Sequence, residues 1–249
     1  MHEHNIDIAN ILFLDIETVS GKPDYENLSE DFQELWQIKA RQLSRNDGEE
    51  EPDYAALYKE RAAIFAEFGK IVCISVGVVY RDKEDQLLKV RLKSFASENE
   101  KELLYEFSQM VFKYYNDPNK HGFCGHNSKE FDIPYICRRL VVHQLPLPVP
   151  FNISGKKPWE TKHILDTMEM WKFGDRKHYT SLKLLAALLG FPSPKDDIDG
   201  SDVGRVYWED KDLERLALYC EKDVLATIQL YLRYKYMPLL EEGQVSHVK

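Results

Sequence analysis

The chain lacks an excess of basic charge: 33 lysines and arginines stand against 42 aspartates and glutamates, a net charge of −9. Coating nucleic acid through bulk electrostatics needs a broadly basic surface, so that mode is excluded, whereas a local basic groove beside a cation site is not. Paired cysteines are also lacking. Cys73, Cys124, Cys137 and Cys220 are scattered, without the close spacing of a metal knuckle or redox pair, and read as reduced core residues. No apolar run is long enough to span a bilayer, since the longest without charge is Ile71 to Tyr80. Met1 to Asn10 is polar, with no signal-peptide pattern, so a cytoplasmic location without a membrane partner is expected.

What is present is globular in kind. Hydrophobic residues make up 43% and aromatics 12% of 249 residues, enough for one α/β domain spanning residues 1–249. Ile11-Leu12-Phe13-Leu14-Asp15-Ile16-Glu17-Thr18 is an apolar run that ends in two carboxylates. On a strand, residues i and i+2 face the same way, so Asp15 and Glu17 project together and repel unless a cation or a shared proton holds them. The pattern points to a divalent metal, the plain alternative being a strand end with two solvated acids.

Asp24 to Ala66 reads as an insert of two charged amphipathic helices, broken at residues 46–53 by Gly48, Pro52 and an acidic run. Its aromatics, among them Trp36, Tyr54, Tyr58, Phe65 and Phe68, fit either a core or a groove. Ile71–Tyr80 reads as a central strand, Leu87–Phe95 as one nearer an edge, and Arg81–Asp85 as their hairpin turn. Ser97 and Glu100 have capping-box spacing ahead of a helix carrying Leu103, Leu104, Phe107 and Val111. A short strand over residues 121–127 precedes a helix expected to begin near Pro134, with Asp132 just before it. The Pro-rich stretch 145–158 connects to a short strand at 162–167, which leads to a helix over 181–189 stopped by Gly190 and Pro192. Residues 194–208 read as an acidic loop that lacks the terminal Glu of a calcium loop. On the last helix, about Lys211 to Tyr236, Tyr219 and Asp223 are four apart and share a face.

Taken in order, FLDIET, GHNSKEFDIPYICRRL and YCEKDVLAT resemble the three motifs of the DEDDy 3′-5′ exonucleases found in the proofreading domains of family B DNA polymerases. The resemblance spans about residues 10–235. It implies a ribonuclease H-like fold with a central mixed five-stranded sheet and helices on both faces. It also implies that Asp15, Glu17, Asp132 and Asp223 hold two Mg²⁺ or Mn²⁺ ions, for which oxygen ligands are suited. Such a pair, about 4 Å apart, activates a water and stabilises the leaving 3′ oxygen of a phosphodiester.

Tyr219 would orient that water. A phenol with a pKa near 10 is a poor base at neutral pH. The sister subfamily has a histidine five residues before the last Asp, where this chain has Leu218, which favours the tyrosine type. Thr18, Asn127 and Phe131 fall where the family contacts the terminal nucleotide, and Phe131 stands where many relatives carry tyrosine. Asp166 reads as a structural acid, with an outer-shell role as the alternative. His126, His163 and His178 read as packing or surface residues. From Lys156 to Lys183 basic residues outnumber acids and Trp159, Trp171, Phe173 and Tyr179 are interleaved, a composition suited to a single strand.

The expected function is a stand-alone metal-dependent 3′-5′ exonuclease that releases nucleoside monophosphates from single-stranded DNA or RNA. A non-catalytic nucleic-acid-binding module and a small-nucleotide phosphodiesterase are the competing readings. A degenerate module should have lost an acid of the set, and none is missing.

Overall fold

The computed structural model describes residues 6–44, 51–175, 179–193 and 197–248. Strand β1 (Ile11–Ser20) is followed by helices α1 (Glu30–Ser44) and α2 (Tyr54–Arg61), then by strands β2 (Gly69–Arg81) and β3 (Leu88–Ala96). Helix α3 (Glu100–Tyr114), strand β4 (Gly122–Gly125), helix α4 (Asp132–Val142), strand β5 (Ile164–Asp166) and helix α5 (Thr167–Lys172) come next. Helix α6 (Leu182–Leu189), the short α7 (Val203–Arg205), a π-helical turn (Val206–Asp210), the long α8 (Leu213–Tyr234) and strand β6 (Val245–Val248) complete the order.

The strands form one mixed sheet in the order β5-β4-β1-β2-β3-β6. β2 lies between β1 and β3 and is antiparallel to both, whereas β4 and β5 run parallel to β1 and β6 runs parallel to β3. The sheet thus has six strands, not the expected five. The extra strand forms because the tail after α8 is turned back: Gln229 donates to Leu240 O at 2.8 Å and accepts from Leu240 N at 3.0 Å. Ser246 Oγ then donates to Val90 O, and the tail pairs along β3.

Alternation along β1 sorts its side chains to two faces. Leu12, Leu14 and Ile16 enter a core with Leu103 and Phe107 of α3 and Ile133 and Ile136 of α4. Ile11 and Phe13 enter a second core with Val224, Ile228 and Tyr231 of α8. Helices therefore cover both faces, and continued alternation carries Asp15 and Glu17 to the α8 side.

The insert has its own small core of buried Trp36, Ala40, Tyr58 and Ala62, flanked by Tyr25, Tyr54, Phe65 and Phe68. Its aromatics pack on one another, and Trp36 meets Tyr58 and Phe68 edge-on. Most of the expected break between the two helices, residues 46–50, lies outside the described residues.

Three local expectations are corrected. Asn99, not Ser97, caps α3, because Glu100 turns inward to accept the Ile71 N–H at 2.7 Å and the Arg139 guanidinium. Helix α4 begins at Asp132 itself, two residues before Pro134. The acidic stretch before Trp208 is not all loop, since it contains α7 and the π-helical turn; its residues 194–196 lie outside the described residues. Among the described residues all four cysteines are free, three of them buried, and no helix is long and apolar enough to cross a membrane.

Candidate active site

Three elements bring the acids together. β1 supplies Asp15 and Glu17 just before a bulge at Glu17/Thr18, where Val72 of β2 is left without a partner across the ladder. α4 supplies Asp132 as its first residue, buried, with Oδ1 accepting the Ile16 N–H at 3.1 Å. α8 supplies Tyr219 and Asp223 from one face.

The carboxylates perturb one another strongly. Burial, followed by the charges of Asp132, Asp223 and Glu17, pushes the Asp15 carboxyl well above the usual carboxylate range, opposed by a hydrogen bond from Cys220. Burial pushes Asp132 up to about 7, with Asp166 and Asp223 adding to it and the Ile16 N–H opposing. The charges that act on Asp15 are all negative, so the site has the electrostatics of a place for cations. Ligand atoms of Asp15, Glu17 and Cys220 lie within 4.8 Å of one another. Carboxylate oxygens of this density fit hard divalent ions.

Tyr219 is buried in a cluster with Val19, Val72, Val203, Val206 and Leu216. Burial first, then the charges of Asp223, Glu17 and Asp15, raise its phenol far above the ordinary value, so its proton stays in place and the group can only donate or accept a hydrogen bond. Tyr179, singled out in the sequence only as one of several interleaved aromatics, turns out to stand at this site. Its phenol is raised by burial and then by Asp223, Asp15, Asp132 and Asp166, while the residue as a whole stays 68% exposed. Its neighbour Thr180 is tied down by His126, which spans from Thr180 O at 3.2 Å to Thr167 Oγ1 at 3.0 Å.

Of the expected nucleotide contacts, Thr18 directly follows Glu17 and Phe131 directly precedes Asp132. Thr18 lies beside the Tyr135 hydroxyl, and the Phe131 ring sits 5.4 Å from the Tyr135 ring. Asn127 holds a left-handed backbone (φ 68°), and its buried Oδ1 has no hydrogen-bond partner among the described residues. It borders a polar cavity of about 630 Å³ with Lys129, Asp166, Glu169 and Lys172. Asp166 is a structural acid: Oδ1 accepts from the N–H groups of Asn127, Met168 and Glu169, and Oδ2 from that of Lys129. His163 is buried on Pro150 O. Of the basic and aromatic stretch, Trp159 and Phe173 are exposed, whereas Trp171 packs towards α6 and α8; Arg176, Lys177 and His178 lie outside the described residues.

Residues 64–246 match the family described as predicted 3′-5′ exonucleases related to the exonuclease domain of PolB. The chain belongs to this family. Asp132, Tyr219 and Asp223 of this PolB-related exonuclease fall inside the matched region, whereas β1 with Asp15 and Glu17 and most of the helical insert precede it. No curated protein matches the chain. The six-stranded mixed sheet with helices on both faces is consistent with the ribonuclease H-like architecture of such exonucleases.

Proposed function

We propose that this protein is a metal-dependent 3′-5′ exonuclease that hydrolyses single-stranded DNA or RNA to nucleoside monophosphates. The observation that carries the reading is the meeting of Asp15, Glu17, Asp132 and Asp223 from three elements, with only negative charge acting on Asp15. In this reading Asp15, Glu17, Asp132 and Asp223 hold two Mg²⁺ or Mn²⁺ ions. Such ions would supply charge stabilisation at the leaving oxygen and a lower proton affinity in the attacking water. The protein's own part is orientation: the bond from Ile16 N–H to Asp132 locks α4 against the β1 segment between Asp15 and Glu17. Tyr219 keeps its proton and holds the attacking water by a hydrogen bond. Thr18, Asn127 and Phe131 receive the terminal nucleotide, with the exposed aromatics Trp159, Phe173 and Tyr179 offering faces for upstream bases. Residues 24–66 are then an insert in one exonuclease domain.

The test uses 5′-labelled DNA and RNA oligonucleotides with Mg²⁺, Mn²⁺ or excess chelator. A shortening ladder that depends on the metal is expected. Activity that survives chelation would remove the two-metal mechanism, and release of the labelled 5′ nucleotide first would reverse the assigned polarity.

A further inference from the structure

Beneath α8 the sheet is apolar until it approaches the acids. Phe13, Gly77 and Leu92 lie side by side across β1, β2 and β3 and meet Val224 and Ile228. Two residues further along the same face the row becomes Asp15, Ser75 and Ser94. Ser75 and Ser94 interrupt strands that are otherwise rich in valine, leucine and isoleucine.

The two serines are joined by hydrogen bonds that run on to Glu221 at one end and Cys73 at the other. Buried Glu221 of α8, itself bonded to His247 of β6, accepts from Ser94 Oγ at 2.8 Å. A hydroxyl has one proton, so Ser94, donating to this carboxylate, accepts from Ser75 Oγ at 2.7 Å. Ser75 in turn accepts from the Cys73 thiol at 3.5 Å. Cys73 neighbours Cys220, one residue after Tyr219 on α8. Cys73, its own proton given to Ser75, is also hydrogen-bonded to Cys220, and independently of that bond the Cys220 thiol is placed to donate to Asp15, whose main-chain oxygen lies at 3.4 Å and Oδ2 at 3.5 Å.

We propose that Cys220 is a positioning residue, which aims the Asp15 carboxylate at the cation site by a thiol hydrogen bond. The inference rests on the metal-dependent reading above. The contact with Asp15 gives the thiol a role that packing alone would not require. An aliphatic side chain would fill the same space, and a buried polar group left unsatisfied costs about 1–3 kcal/mol. Partners of metal-binding carboxylates act on affinity, their loss typically weakening it about 10- to 100-fold.

The experiment measures Mn²⁺ affinity of the full chain, without substrate, from the resonance signal of the free ion, for the wild type, Cys220→Ser and Cys220→Ala. Each is checked for an intact fold by its thermal melt. Cys220→Ala should weaken Mn²⁺ binding about tenfold, and Cys220→Ser, which keeps a donor, should stay within about threefold of the wild type. In parallel, Co²⁺ should bind without a thiolate charge-transfer band. Wild-type affinity in a folded Cys220→Ala would reduce Cys220 to packing, and a thiolate band lost in Cys220→Ser would make it a ligand; either overturns the proposal. Should Cys220→Ala fail to fold, Cys220→Val fills the space without a donor, and an unchanged Mn²⁺ affinity there has the same force. No Mn²⁺ binding by the wild type would instead remove the metal-dependent reading, and this inference with it.

Discussion

Asp132 Oδ1 accepts the N–H of Ile16, 116 positions earlier in the chain, so the first turn of α4 is bonded to the backbone between Asp15 and Glu17. The bond places a third carboxylate beside two others, and burial pushes the pKa of Asp132 up to about 7 although the bond itself opposes the rise. Between the ordinary carboxylate value and about 7 the folded protein holds a proton that the unfolded chain has released. Stability from this group is therefore present at low pH and lost as pH rises through that window, with Asp15 shifted in the same direction. The melting temperature of the chelated protein should fall from about pH 5 to about pH 8, and Mn²⁺ should raise it more at the upper end, where the acids are free to bind. A chelated protein that became more stable across this range would show that these carboxyls are not held protonated.

Tyr219 and Asp223 share a face of α8, but the proposal gives them different work. Asp15→Ala or Asp223→Ala removes an anion the ions require and should leave little activity. Tyr219→Phe keeps the ring among Val19, Val72 and Val206 and deletes only the hydroxyl. Positioned acid–base groups contribute on the order of 10²- to 10⁴-fold, and this variant should fall in the lower part of that range with its melt unchanged. If single-turnover cleavage by Tyr219→Phe ran at the wild-type rate, Tyr219 would be a core aromatic only.

Much of this arrangement is legible in the sequence. The apolar run into Asp15 and Glu17, the four-residue spacing of Tyr219 and Asp223, and the Gly190 stop of α6 are local patterns, and each element formed near its expected bounds. What escaped reading depends on contacts distant in sequence. β6 is four residues of mixed polarity that become a strand only because Gln229 turns the tail back onto β3. Ser97 and Asn99 are both competent caps, and the choice fell to Asn99 once Glu100 was drawn inward by Arg139 and the Ile71 N–H. Cys220 carried no spacing signal, since its partners Asp15 and Cys73 come from β1 and β2, far from α8 in sequence. Tyr179 was visible as an aromatic, but its placement beside the acids follows from His126 anchoring Thr180.

Glu100 offers a test of the scaffold apart from the chemistry. Its carboxylate receives the Ile71 N–H, Arg139 through Nε at 2.8 Å and a terminal nitrogen at 2.5 Å, and lies 2.7 Å from His143 Nε2. Glu100→Ala would leave the largely buried Arg139 guanidinium without its counter-charge, a change that typically costs about 3–5 kcal/mol. Urea denaturation should show a loss of that size, while turnover per folded molecule stays near wild type because this cluster belongs to the α3 and α4 side of the sheet. A loss below about 1 kcal/mol would mean that Arg139 finds replacement partners.

Asp166 separates a structural acid from a metal ligand. Both of its oxygens are taken by main-chain N–H groups, and one of these donors, Asn127, holds the left-handed conformation at the edge of the polar cavity. Asp166→Asn keeps the volume but replaces one acceptor with a donor that faces N–H groups, at a cost of about 1–3 kcal/mol. The strain falls on the turn that carries Asn127. The expected result is a lower melting temperature and a raised KM for the oligonucleotide, with Mn²⁺ affinity close to wild type. Calorimetric Mn²⁺ titration decides the point, because a large loss of metal affinity with an unchanged melt would place Asp166 among the ligands and not beneath them.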